Sequence, residues 1–104
     1  MRQLSKPNLL AQDFDFEKTL PDWRLSSSNQ ELARIFVFND FKSAFQFMTL
    51  CANFAEELDH HPDWSNSWNT VSVRLSTHSM KALTDLDVTM ACAMDQFALQ
   101  VLEQ

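Results

Sequence analysis

The sequence predicts an α+β domain in the order α-β-β-α-β-β-α, with one four-stranded antiparallel sheet and the helices packed on one of its faces. Three observations lead there. Two strand-like runs flank the polar turn Ser27-Ser28-Asn29-Gln30, and two more follow Pro62, so each pair reads as a hairpin. Two long stretches, starting near residues 41 and 85, repeat apolar residues at steps of three and four, the period of a helix. Short connections favour antiparallel pairing within each hairpin, and a sheet that is apolar on one face needs helices to cover it.

Residues 8–20 carry leucines and phenylalanines at uneven spacing and are expected to form a short helix, ended by Pro21-Asp22. Residues 23–26 form a short strand candidate. Residues 31–38 form a stronger one, rich in β-branched and aromatic side chains. Its period of two puts Phe36 and Phe38 on one face and Ile35 and Val37 on the other. Asn39-Asp40 is a helix N-cap signal. Behind it Phe41, Ala44, Phe45, Met48, Cys51 and Ala55 form an apolar stripe, widened by Phe47, Leu50 and Phe54, that runs to about Leu58. Residues 63–68 give a short strand, with a bend at Asn69-Thr70. Val71, Val73 and Leu75 then alternate with Ser72, Arg74 and Ser76, and continuing that parity assigns His78 to the polar face. Thr84-Asp85-Leu86-Asp87 has the outline of a capping box, with Asp in place of the usual Glu. The last helix carries Leu86, Met90, Ala93, Met94, Phe97, Val101 and Leu102 on its apolar stripe.

The 104 residues suit a single domain spanning 1–104, which buries roughly 60–65% of its unfolded surface. Net charge is −6 without a Lys/Arg cluster, so the chain lacks the electrostatic footprint of a nucleic-acid or anionic-membrane binder. No apolar run is long enough to span a bilayer, and the start lacks a signal-peptide core. Cys51 and Cys92 fall on helix stripes and are expected to be buried free thiols, which places the protein in a reducing, cytoplasmic compartment. Glycine is absent, which excludes Gly-rich phosphate loops and leaves turns to Asn, Asp and Ser.

The chemistry concentrates in Glu56-Glu57-Leu58-Asp59-His60-His61-Pro62-Asp63-Trp64, which holds two of the three histidines among four carboxylates. Pro62 disfavours helix at His61, so the run reads as a helix exit turning into an extended segment. Adjacent histidines there are open to three readings. They can be solvated or cap the helix C-terminus, where cations are favoured. They can transfer protons, since a free imidazole titrates near pH 6.5. They can bind a metal, because Glu56 and His60 sit four residues apart with Asp59, His61 and His78 available. Neither cysteine has a histidine beside it and no serine sits in a nucleophile elbow, so nucleophilic catalysis is disfavoured. Trp64 and Trp68 flank the run and could stack on a flat ligand or serve as ordinary sheet residues.

The spacing Glu56-xxx-His60-His61-Pro62, the aromatic Trp68, His78 ten residues on and Asp87 nine further resembles the signature of the pterin-4a-carbinolamine dehydratases. Phe38-Asn39-Asp40-Phe41-Lys42-Ser43-Ala44-Phe45-Gln46-Phe47-Met48 is similar to the family's first long helix, and Leu20-Pro21-Asp22-Trp23 to its Leu-Pro-Gly-Trp turn, with Asp22 in place of the glycine. The likeness runs from about residue 20 to the end; residues 1–20 match poorly, and Ser79-Met80 departs from the pattern. The resemblance implies the fold already derived and a hydro-lyase that dehydrates 4a-hydroxytetrahydropterin to the quinonoid dihydropterin. The pterin is then the substrate, and neither a cofactor nor a metal is implied. Asp59, His60, His61, Ser76, Thr77, His78 and Ser79 would line its pocket. His60 and His78 would act as acids at the hydroxyl and His61 would bind substrate and act as base. Glu56 and Asp87 would orient histidines or simply be solvated. A homodimer or homotetramer is expected, both from the resemblance and from the apolar second face at Ile35 and Val37. Relatives in the family also serve as dimerisation or assembly modules, which is the competing role. On the enzyme reading, removing His60, His61 or His78 should harm turnover more than folding.

Overall fold

The structure is a computed structural model that describes residues 6–103. Its elements are α1 (Phe16–Thr19), β1 (Arg24–Leu25), β2 (Leu32–Val37), α2 (Phe41–Leu58), β3 (Asp63–Ser67), β4 (Thr70–Leu75), a 3-10 turn (His78–Met80) and α3 (Asp85–Leu102). The strands form one sheet in the order β1-β2-β4-β3, every pair antiparallel. The expected α-β-β-α-β-β-α order and four-stranded sheet are therefore what the chain adopts.

Alternation sets the register. Val71, Val73 and Leu75 are buried, as are Leu32 and Phe36 on β2, with Phe36 opposite Val71 and Leu32 opposite Leu75. A slip of one residue would turn all of them to the other face. Phe47 of α2 sits on this layer at 0% exposure, its ring 4.7 Å from Phe36 and 4.9 Å from Phe38. Ile35 and Val37 face away from the core and are 63% and 59% exposed. Asp40 caps α2 by accepting from Ser43 N–H at 2.8 Å, and those bonds hold its carboxyl below the usual range. At the far side Asp95 of α3 accepts from Trp23 Nε1–H at 2.8 Å and pairs with Arg34 at 2.6 Å, clasping the helix to the sheet edge.

Along the helices the structure departs from expectation in four places. Residues 8–20 form only the single turn Phe16–Thr19, capped by Asp15. Phe14 and Phe16 meet edge to face at 4.8 Å, and residues two apart do not face each other on a helix, so the preceding segment stays irregular. The buried stripe of α2 is Ala44, Phe47, Cys51 and Ala55, while Phe41 and Phe45 meet at a tilt at the surface, ring centroids 5.7 Å apart. On α3, Ala91 and Ala98 take buried places, Ala93 is only half-buried and Leu102 is largely exposed. Cys51 is buried as expected, and burial pushes its thiol up to about 12, but Cys92 is exposed.

Candidate active site

The first half of the site is made by the way α2 ends. Asp59 takes the left-handed conformation (φ 56°, ψ 42°), the place a glycine usually fills. Its N–H bonds Glu56 C=O at 3.3 Å, and His60 N–H reaches back to Ala55 C=O at 3.1 Å. This Schellman closure stops the helix one residue before His60 and throws His60 and His61 out ahead of β3. Asp suits the position because its short polar side chain tolerates left-handed backbone. The same demand elsewhere falls on Asn29 but also on Trp68 and Lys81, so Asn, Asp and Ser do not supply every turn.

The second half is made where β4 ends. The strand stops at Leu75, but the alternation of burial runs on, with Thr77 buried and His78 exposed as the parity predicts. His78 opens the 3-10 turn. Thr77 turns inward at 4% exposure and lies against the start of α3, where Thr84 and Asp87 are both at 0%. Thr84 and Asp87 form the expected capping box: Thr84 N–H donates to Asp87 Oδ2 at 2.9 Å. Asp87 also takes the Thr77 hydroxyl at 2.8 Å and lies 2.6 Å from His60 Nε2.

The two halves close on one pocket of about 260 Å³, lined by Asp59, His60, His61, Ser76, Thr77, His78 and Ser79. The structure thus brings all seven sequence-derived pocket residues together. Each histidine has its Nε2 against a different carboxylate: His60 on Asp87 at 2.6 Å, His61 on Glu56 at 2.5 Å and His78 on Asp63 at 3.2 Å. Burial is graded along the set, because the side chains of His60, His61 and His78 are 10%, 54% and 74% exposed. Such a partner fixes ring orientation and tautomer, leaving Nδ1 as the nitrogen for a ligand. A pocket of this make can both give and take protons.

Glu56 and Asp87 are therefore partnered with histidines rather than simply solvated. Glu56 pairs with His61, five residues on. His60 is not a solvated cap, since its ring is bonded to a fully buried carboxylate. Its removal strips a partner from the buried Asp87 and is expected to cost stability. Among the described residues no group of three or more His, Cys, Asp or Glu side chains is placed to hold a metal ion. Trp68 lies at the tip of the β3–β4 hairpin, at the opposite end from Asp63 and Arg74, so it does not flank the pocket; Trp64 is a half-buried sheet residue opposite Val73. Sequence reasoning missed Asp63 as a histidine partner, although it stands in the same run. It also missed Thr84, named then only as a cap.

A sequence model of the family described as "Pterin 4 alpha carbinolamine dehydratase" matches residues 6–97. The chain belongs to the pterin-4a-carbinolamine dehydratase family. It is 47% identical over 79 residues to a protein of Rhizorhabdus wittichii named "Putative pterin-4-alpha-carbinolamine dehydratase", covering 76% of this chain and 81% of that one. A Bordetella avium protein of the same name is 47% identical over 81 residues, covering 78% and 75%. The crystal structure of a "transcriptional coactivator/pterin dehydratase" from Brucella melitensis superposes with a TM-score of 0.78 at 39% identity, covering 88% of this chain and 99% of that one. A pterin dehydratase-like protein described as a RuBisCO assembly factor of the alpha-carboxysome shares the fold at a TM-score of 0.65 and 20% identity, covering 77% and 93%. At that identity the likeness concerns the fold alone.

Proposed function

We propose that this dehydratase-family chain converts 4a-hydroxytetrahydropterin, of which 4a-hydroxytetrahydrobiopterin is one, to the quinonoid dihydropterin and water, as a hydro-lyase in tetrahydrobiopterin recycling. The observation that carries the reading is the single pocket in which three histidines each bear a carboxylate on Nε2. The reaction breaks the C4a–O bond and forms a C4a–N5 double bond. One imidazolium protonates the departing hydroxyl, which leaves as water with its bonding pair. The N5 lone pair makes the new bond, and a base takes the N5 proton. One proton is given and one taken, and no electrons are transferred to or from the pterin, so the balance calls for neither redox cofactor nor metal.

His60 and His78 serve as acids at the hydroxyl. The Asp87 and Asp63 carboxylates hold each ring by Nε2, which leaves Nδ1 for the hydroxyl. His61 binds the pterin and accepts from N5, with Glu56 behind it. Each positioned proton transfer contributes roughly 10²–10⁴-fold. The pocket-lining Asp59, Ser76, Thr77 and Ser79 offer polar groups to the pterin ring edge. The partner is thus a small pterin; with a net charge of −6 we propose no direct nucleic-acid binding. Among the described residues no helix is long and apolar enough to cross a membrane, and the reading is of a cytoplasmic homodimer or homotetramer. The coactivator in the Brucella protein's name marks the alternative, a dimerisation or assembly module on the same fold. The intact histidine set favours the enzyme.

The test is dehydration of freshly generated 4a-carbinolamine with a chelator present. Faster decay than in buffer is expected. A folded protein that leaves the rate unchanged supports the module instead, and activity lost to the chelator and restored by zinc overturns the metal-free chemistry.

A further inference from the structure

Among the described residues Thr77, Thr84 and Asp87 are the buried polar ones, and they form one chain that ends on His60. Its direction follows from the donors. Thr84 N–H can only donate, so Asp87 Oδ2 is an acceptor there. The Thr77 hydroxyl has one proton and gives it to the same oxygen at 2.8 Å. The 2.7 Å contact between Thr77 Oγ1 and Thr84 Oγ1 must then carry the proton of Thr84. Thr84 Oγ1 in turn accepts from Leu86 N–H at 3.3 Å, consistent with its own proton pointing to Thr77. With Oδ2 filled by two donors, Oδ1 is left for His60, and an acceptor at 2.6 Å requires Nε2 to be the protonated nitrogen. Among the described residues no buried side-chain nitrogen or oxygen lacks a partner. Such a network is rigid when every member is satisfied and loses its order when one is removed.

We propose that Thr84, wholly buried and outside the pocket lining, is a positioning residue for the dehydration: through Thr77 and Asp87 it holds the His60 ring in one orientation and as the Nε2–H tautomer. The proposal rests on the dehydratase reading for its catalytic consequence but not for its geometry. Thr84 touches no substrate. It works by orienting a hydroxyl that orients a carboxylate that orients the imidazole.

The test compares Thr84→Val, which keeps the shape and loses the hydroxyl, with Thr84→Ser, which restores it. Asp40→Ala serves as control, since it removes a helix cap of the same kind on α2, away from the pocket. Two quantities are read: the kcat and KM of dehydration, and the ¹⁵N signals of the His60 ring at a pH where imidazole is neutral. In the parent His60 should be the Nε2–H tautomer. In Thr84→Val kcat should fall on the order of tenfold at unchanged KM, as a small misplacement of a catalytic group does, and the single tautomer should be lost. Thr84→Ser and Asp40→Ala should match the parent in both. A parental kcat in Thr84→Val overturns the proposal, and so does a lowered kcat with an unchanged tautomer, which would mark the hydroxyl as structural only. If Thr84→Val does not fold, an Nδ1–H tautomer in the parent still overturns it. Absence of turnover in the parent sinks the dehydratase reading, while the ring signals still decide the network.

Discussion

Asp87 carries two duties at one carboxylate. One oxygen closes the capping box of α3 and takes the Thr77 hydroxyl, and the other faces His60. Asp87→Asn separates them. The amide oxygen must stay with the two donors at Thr77 and Thr84, so the NH2 turns to His60 and forces Nε2 to accept. The ring is then locked with its single proton on Nδ1 and Nε2 tied up as an acceptor, so on the proposed function it can no longer form the doubly protonated ring that an acid must start from. We expect kcat to drop on the order of a hundredfold or more, in keeping with the large cost of a wrong tautomer elsewhere, while the melting temperature stays near the parent's. Steady-state kinetics beside a thermal melt checks both halves. The thiols give a second residue-scale expectation. Burial pushes Cys51 up to about 12, and burial with the nearby Asp95 raises Cys92 less far. The thiolate is the reacting form, so alkylation at pH 8 should modify Cys92 slowly and Cys51 only after unfolding; mass spectrometry of the native protein should show one label.

At the scale of elements, what the sequence made legible was whatever rested on local period. The alternation of Val71, Val73 and Leu75 marks β4 because one face of the sheet is buried, and Asp40 and Thr84 mark helix starts because capping is a local bond. What it left unread depends on how elements approach one another. Phe41, Phe45 and Phe47 are equally apolar, and only the seating of α2 on Phe36 and Phe38 decides that Phe47 goes inside. The burial of His60 was left open because it depends on the start of α3 arriving beside the exit of α2. Asp63 and Thr84 were missed for the same reason, since their partners are distant in sequence or already accounted for locally. The packing difference along α2 is measurable. Phe47→Ala should cost about 3–5 kcal/mol, the usual range for a fully buried phenylalanine, whereas the surface change Phe45→Ala should stay within about 0.5 kcal/mol. Urea titrations that give equal losses for the two would contradict this seating.

At the scale of the whole molecule, one face of the sheet is covered and the other is not. Ile35 and Val37 stand on the open face, 63% and 59% exposed, beside Ser72 and Thr70 on the neighbouring strand. Exposed apolar side chains grouped on a strand mark an interface. Light scattering at micromolar concentration should report a dimer or tetramer, and Ile35→Lys with Val37→Lys should lower the mass without unfolding the chain. A parent that scatters as a monomer would contradict the assembly.

The central claim is that the three-histidine pocket dehydrates a 4a-hydroxypterin. Its most direct test is stopped-flow decay of freshly generated 4a-carbinolamine, comparing the parent with the double change His60→Gln/His78→Gln. Glutamine at 60 keeps an N–H for Asp87 and so spares the fold, but it exchanges no proton near neutral pH. The parent should accelerate the decay, and the folded double variant should fall close to the rate in buffer. A parent no faster than buffer, or a double variant that keeps full activity, would contradict the account.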